Sequence, residues 1–336
     1  MPPLITSTYT ADPSAHVFNG RIYIYPSHDR ESNIAFNDNG DQYDMADYHV
    51  FSVPSVPGPV TDHGVVLRTE DVPWVGKQMW APDAAYRDGK YYLYFPARDK
   101  KGIFRIGVAE GGSPEGPFKA DPEPIAGSHS IDPAVFVDDD GKGGDGEAYM
   151  YFGGLWGGQL QCYQGGTQDV DAVFDPAWQG SKEVSGEGVA AQGPRAARMG
   201  KDMRSFDGPV VELQILAPET GKPILADDHE RRFFEAAWVH KRRETGKYYF
   251  SYSTGDTHFL CYAVGDSPLG PFTYGGRILE PVLGWTTHHS VVEFEGRTYL
   301  FYHDCELSGG VDHLRSVKAK EIFYDDEGKI KTTTAD

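Results

Sequence analysis

The sequence predicts an all-β fold, a five-bladed β-propeller of four-stranded antiparallel blades around a central channel, and three observations carry that expectation. One motif returns five times along 336 residues: an acidic or His position, a short apolar stretch, a glycine-bearing turn such as Asn-Gly or Asp-Gly, then an aromatic strand. The chain carries 20 Tyr, 18 Phe and 6 Trp, bulk suited to pleated surfaces. Its 40 Gly and 23 Pro disfavour helical bundles and coiled coils.

The first copy, Asp12 to Asp29 (DPSAHVFNGRIYIYPSHD), reads as a hairpin, because Asn19-Gly20 supplies the positive φ of a tight turn and Ile22 to Tyr25 shows no helical period. Residues 48–53 (YHVFSV) continue it as a third strand. The second copy, Asp83 to Asp99 (DAAYRDGKYYLYFPARD), turns at Asp88-Gly89 and is followed by a strand at 104–109. The third, Asp132 to Gly154, precedes a long excursion from about 165 to 232. That excursion is expected as an insertion on a propeller loop within a single domain spanning 1–336. Within it, 188–202 is the one stretch that suggests a short helix, and 180–200, without aromatic strands, is expected to be the most mobile. The fourth copy, Glu235 to Gly255, leads into a strand at 259–264. Its following turn, SPLGPF, echoes the SPEGPF of the second copy. The fifth, His288 to Asp304 (HHSVVEFEGRTYLFYHD), completes the ring.

A formal net charge of −19 would repel a phosphate backbone, so nucleic acid is excluded as a partner. No run of eighteen apolar residues is present, and no membrane partner is expected. The N-terminus lacks basic and apolar signal regions, which predicts a cytoplasmic protein, or a secreted one if a leader has been trimmed. Cys162, Cys261 and Cys305 are odd in number and widely spaced, so buried thiols are expected.

First strands of propeller blades line the axis, so Asp12, Asp83, Asp132, Glu235 and His288 should meet at one mouth of the channel. Acids gathered there repel one another, leaving some protonated and others ionised, as general acid–base chemistry requires. An Asp before Pro, as at Asp12 and Asp132, is ordinarily a turn residue. Glu235, between Phe233-Phe234 and Ala236-Ala237-Trp238, has no such turn to serve, and burial there would raise its pKa.

In order, DPSAHVFNGRIYIY, WAPDAAYRDGKYYLYF, SIDPAVFVDDDG, FFEAAWVHKRRETGKYYFSYS and HHSVVEFEGRTYLFYH resemble glycoside hydrolase family 43, five-bladed propeller hydrolases of plant-wall pentosans. The resemblance runs from about Tyr9 to Ile330. It implies an inverting mechanism with Asp12 as general base, Glu235 as general acid and Asp132 tuning the acid. It also implies a channel position for His288 that holds calcium in many members. The alternative is a hydrogen-bonded channel histidine without metal. No organic cofactor is expected.

Trp80 and Trp156 resemble aromatic residues lining the family's sugar subsite, with Phe36 and, more weakly, Trp74 as rim candidates that also fit ordinary packing. Arg315 resembles an arginine that contacts hydroxyls of the terminal sugar. The acidic runs 138–140 and 325–327 read as solvated hairpin tips. The expected activity is exo-acting release of terminal pentoses from small xylo- or arabino-oligosaccharides, as a β-D-xylosidase with α-L-arabinofuranosidase activity. Two alternatives stay open: an arabinanase on the same fold, and a non-catalytic carbohydrate-binding propeller.

Overall fold

The computed structural model describes residues 2–139, 146–164, 167–168, 186–285 and 288–334. They form a five-bladed β-propeller. Blade one comprises Thr10–Phe18, Arg21–His28, Asp47–Val53 and Thr61–Arg68, in that order across the sheet. Blade two comprises Asp83–Arg87, Lys90–Asp99, Phe104–Gly111 and Lys119–Ala120, with Val75–Lys77 pairing the far end of its long second strand. Blade four comprises Glu235–Lys241, Tyr248–Ser253, Leu260–Gly265 and Phe272–Leu279, and blade five His289–Phe294, Arg297–Asp304 and Ser316–Ile322.

Blade three corrects the expected insertion. Its strands are Ala134–Asp138, Glu147–Phe152, Arg195–Arg198 and Val211–Glu212, so the third and fourth strands lie inside 165–232. Ile215–Leu216 then adds a parallel strand to the outer edge of blade four. The helix expected over 188–202 does not form: Arg195–Arg198 is strand, with Ala196 and Ala197, 0% and 1% exposed, paired to Tyr151 and Met150, and the flanking residues are turns and isolated bridges. Tertiary pairing here overrides the helix preference of alanine. Residues 165–166 and 169–185 of that excursion lie outside the described residues, and with them 180–185 of the segment expected to be mobile. Blade five has three strands where four were expected, and the N-terminal segment joins its edge, Leu4 N–H donating to Val317 C=O (2.7 Å).

Five hydrophobic cores lie between successive blades and explain why the aromatic strands lack polar alternation. In Tyr92-Leu93-Tyr94-Phe95, Leu93 and Phe95 pack toward blade one while Tyr92 and Tyr94 pack toward blade three. Both faces of each blade are buried, so both parities are apolar. Leu93, Tyr94 and Phe95 are each 0% exposed, each worth about 1.5–3 kcal/mol of burial. The last joint, between blades five and one, is filled by Ile5, Ile24, Phe51, Phe301 and Val317.

Around the channel, a belt of hydrogen bonds joins every blade to the next. Ala15 N–H donates to Ser290 Oγ (3.0 Å), the Ser14 hydroxyl and Val135 N–H donate to Asp83, Ala236 N–H donates to Asp132 (2.8 Å), and Ser251 Oγ bonds His289 Nε2 (2.7 Å). Cys162, Cys261 and Cys305 are buried free thiols, as expected. Among the described residues no helix is long and apolar enough to cross a membrane. The turn at 325–327 is local, Asp325 accepting from Glu327 and Lys329 N–H groups. Asp138, expected at a solvated tip, instead pairs with Lys241 (2.7 Å) and Tyr248 (2.5 Å) of blade four; Asp140 lies outside the described residues.

Candidate active site

Asp12, Asp132 and Glu235 are carried on a shared backbone device. In blade one, Ala11 pairs with Ser27 and Ser14 with Tyr25, so Asp12-Pro13 stand opposite the single residue Pro26. Neither proline can donate to the ladder, so the extra residue costs no hydrogen bond there. In blade three, Asp132-Pro133 stand opposite Phe152, between the Ile131 carbonyl that accepts Gly153 N–H (2.7 Å) and the Ala134–Tyr151 pair. In blade four, Ala236-Ala237 stand opposite Tyr252, directly after Glu235. Asp12, Asp132 and Ala236 adopt φ of 51°, 57° and 64°. Left-handed backbone in a β-branch-free bulge turns each carboxyl out of its sheet and into the channel mouth.

The three acids line one pocket together with His288, Arg315, Trp80, Trp156 and Phe36. Residues remote in sequence from all five blades therefore meet. Two sequence candidates fall elsewhere. Asp83 lies in the interblade belt, accepting from Ser14, Val135 and His16 (2.7 Å for the last), and its strand pairs Asp83 with Tyr94 without a bulge. Trp74 packs face to face with Phe95, centroids 5.9 Å apart, in the core between blades one and two.

The electrostatics divide the acids. Burial alone would raise the Asp12 carboxyl, but the Arg315 guanidinium and a hydrogen bond from the Ser27 hydroxyl hold it below the ordinary 3.8. Arg315 reaches Asp12 at 3.1 and 3.3 Å, Asp29 at 2.9 Å from both Nε and one terminal nitrogen, and lies 4.8 Å over the Tyr43 ring. Asp12 N–H donates to His303 Nδ1 at 2.9 Å, so that nitrogen carries no proton. Glu235 moves the other way: burial first, then the Asp12 charge, push it up to about 8. Asp132 is also raised, by burial, then by Glu235 and Asp12, against the Ala236 N–H that favours its anion. The Asp132–Glu235 pair thus keeps a proton near neutrality while Asp12 stays ionised.

Asp29, His303, Tyr43 and Trp285 are site residues that sequence reasoning missed. Asp29 and His303 sit at the ends of aromatic strands, where a polar residue reads as a turn. Trp285 carried one available signal, an aromatic residue directly after Gly284 and three positions before His288. Its ring stacks on Trp156 (6.0 Å) and meets Phe36 edge-on (6.1 Å). Trp80 donates its indole N–H to Tyr43 C=O at 2.9 Å, and Trp156 meets Phe234 edge-on at 5.2 Å.

His288 is 7% exposed, and neither ring nitrogen has a hydrogen-bond partner; its nearest carboxylate is Asp132, 3.7 Å away. An orphaned buried imidazole fits a ligand role. As a donor set for a hard cation it supplies one direct bond, with the remaining ligands left to water.

Comparison with known proteins agrees with this geometry. Residues 4–330 match the model of glycosyl hydrolases family 43. The chain is 73% identical over 334 residues to a xylosidase/arabinosidase 43A of Humicola insolens, covering 99% of both chains. It is 54% identical over 330 residues to a xylosidase/arabinosidase of Bacteroides ovatus, covering 98% of this chain and 96% of the relative. Among solved structures, a β-xylosidase/α-arabinofuranosidase from a compost metagenome, in complex with xylotriose and in a calcium-free form, superposes with a TM-score of 0.93 at 58% identity. That match covers 99% of this chain and 97% of the other.

Proposed function

The chain belongs to glycosyl hydrolase family 43, and from that premise we propose that it is an exo-acting, inverting β-D-xylosidase that also cleaves α-L-arabinofuranosides from short oligosaccharides. The observation that carries the reading is the opposed protonation of acids around one pocket. Asp12 is the general base: ionised and clamped by Arg315, it withdraws a proton from water at the anomeric carbon. Glu235 is the general acid and protonates the departing oxygen. Asp132, anchored by Ala236 N–H, orients Glu235, and the two buried carboxyls hold a proton between them near neutrality beside the charge of Asp12.

Arg315 was expected to contact substrate hydroxyls. With Asp12 and Asp29 filling its planar fork, its larger role is to hold the base ionised. Trp80, Trp156, Phe36 and Trp285 offer ring faces to the CH surfaces of a pentose. Exo action is supported by contacts that tie the loops on one side of the pocket together. Phe36 touches Trp285 and Trp285 touches Trp156, while Arg98 donates to both Asn39 C=O (2.8 Å) and Gly157 C=O (3.3 Å). Calcium, where bound, would take His288 as its protein ligand and add positive charge beside Asp132. The proton transfers themselves are assigned to Asp12 and Glu235.

The test is to follow xylobiose hydrolysis by NMR and to analyse products from arabinan. The expected result is release of α-xylose as the first anomer and monosaccharide as the sole early arabinan product. β-Xylose first would reject inversion, and arabino-oligomers would point to an endo-arabinanase.

A further inference from the structure

On the outer part of blade one, away from the pocket, His28, Asp47 and His49 bring one ligand atom each to within 4.8 Å of one another. The juxtaposition follows from strand geometry. His28 ends the second strand and, since Ser27 pairs with Tyr48, stands beside Asp47 at the start of the third. Asp47 and His49 are two apart and share a face. His28 Nδ1 is 2.6 Å from Asp47 Oδ1, and His49 Nε2 is 3.9 Å from that same oxygen. The two imidazoles meet edge to face with centroids 4.7 Å apart.

Each imidazole also has an outer partner on its other nitrogen. Thr8 Oγ1 is 3.0 Å from His28 Nε2, and Asp62 Oδ1 is 3.4 Å from His49 Nδ1. In the free chain the 2.6 Å contact is His28 Nδ1–H donating to Asp47. An ion would displace that proton to solvent, leaving the far nitrogen of each ring to hold its proton against an oxygen, as the outer partners of metal-binding histidines do. We propose that His28, Asp47 and His49 form a binding site for a borderline divalent transition ion such as Zn²⁺ or Co²⁺, with a water as fourth ligand. Two ligands about 2.05 Å from a tetrahedral ion stand roughly 3.3 Å apart. The 2.6 Å contact therefore opens and the 3.9 Å contact closes, each by less than an ångström, and the two imidazole nitrogens, within 4.8 Å of each other, draw together, movements within the reach of side chains that are 22%, 23% and 16% exposed. Two imidazoles and one carboxylate select such ions over Ca²⁺ and Mg²⁺, which require more oxygen donors.

The experiment uses the full chain carrying His288→Ala, which removes the channel imidazole as a competing ligand, stripped with chelator and titrated with Co²⁺ and with Zn²⁺ by calorimetry and visible absorption. The expected result is one ion per chain with a dissociation constant on the order of micromolar, the intense visible bands of four-coordinate Co²⁺, and Ca²⁺ at least a hundredfold weaker. His49→Gln and Asp47→Asn, each in the His288→Ala chain and shown folded by circular dichroism, should each weaken binding at least tenfold. Absence of binding at millimolar metal, or binding unchanged in whichever of these variants is folded, overturns the proposal.

Discussion

A carboxyl's chemistry in this protein is decided by which charges its few neighbours carry. Asp12 and Glu235 are both walled in by protein, yet the Arg315 guanidinium and the Ser27 hydroxyl hold one ionised while the Asp12 charge keeps a proton on the other. Activity therefore needs a deprotonated group that titrates below 3.8 and a protonated one that titrates near 8. The sign follows: kcat/KM is flat through mildly acidic pH and falls as pH rises through about 8, where Glu235 loses its proton. Glu235→Gln should lower kcat/KM on xylobiose by roughly 10²- to 10⁴-fold and flatten the alkaline limb. An activated aryl xyloside, whose leaving group needs less protonation, should lose much less. Equal losses on both substrates would remove Glu235 from the acid role. Arg315→Met should raise the acidic limb by freeing the Asp12 carboxyl to take up a proton at higher pH, read from the same profiles. An acidic limb that stays in place would reject the clamp.

Elements place these residues through their irregularities. The two-against-one bulges at Asp12-Pro13, Asp132-Pro133 and Ala236-Ala237 rotate three side chains into the channel, whereas the regular Asp83–Tyr94 pairing leaves Asp83 in the belt. The Asp-Pro pairs were visible in the sequence but read equally well as turns. What distinguishes a bulge is the partner strand, and Pro26 lies across the ladder from Asp12-Pro13. The short loops matter as much as the strands. Gly157 has its missing Cβ only 2.8 Å from Asn39 C=O, so this loop touches the 37–41 loop directly. Gly157→Ala should force the two loops apart and loosen the rim while leaving the bulges intact, raising KM for xylobiose roughly tenfold with a smaller change in kcat. An unaltered KM would show that the rim contact does not shape the subsite.

The whole molecule is a ring, and a ring is only as stable as its last joint. Ile5, 1% exposed, is packed with Ile24, Phe51, Phe301 and Val317 where blade five meets blade one, and Leu4 hydrogen-bonds the outer strand of blade five. Ile5→Ala should cost about 2–5 kcal/mol in denaturant unfolding, as for other buried large-to-small changes, without altering kcat at room temperature. An unfolding curve superimposable on the parent would mean that closure does not depend on this segment. The five interblade cores and the five-membered belt of hydrogen bonds share the remaining load, so no single blade can be removed without exposing two apolar faces.

The sequence by itself determined the repeat, most of the aromatic strands, the turn chemistry and the acids that lead the blades, because continuous aromatic and β-branched runs, Asn-Gly and Asp-Gly turns and recurring polar residues are local properties. It misassigned 188–202, where an alanine-rich stretch becomes strand only because Tyr151 and Met150 are there to pair with it. It also left Asp29, His303 and Trp285 unseen. Only the tertiary structure decided which blade-leading acids face the pocket, which of them keep a proton and where Arg315 spends its charge. Those outcomes depend on distances between residues up to 303 positions apart, as for Asp12 and Arg315, and Coulombic and desolvation energies follow spatial separation and burial rather than order along the chain.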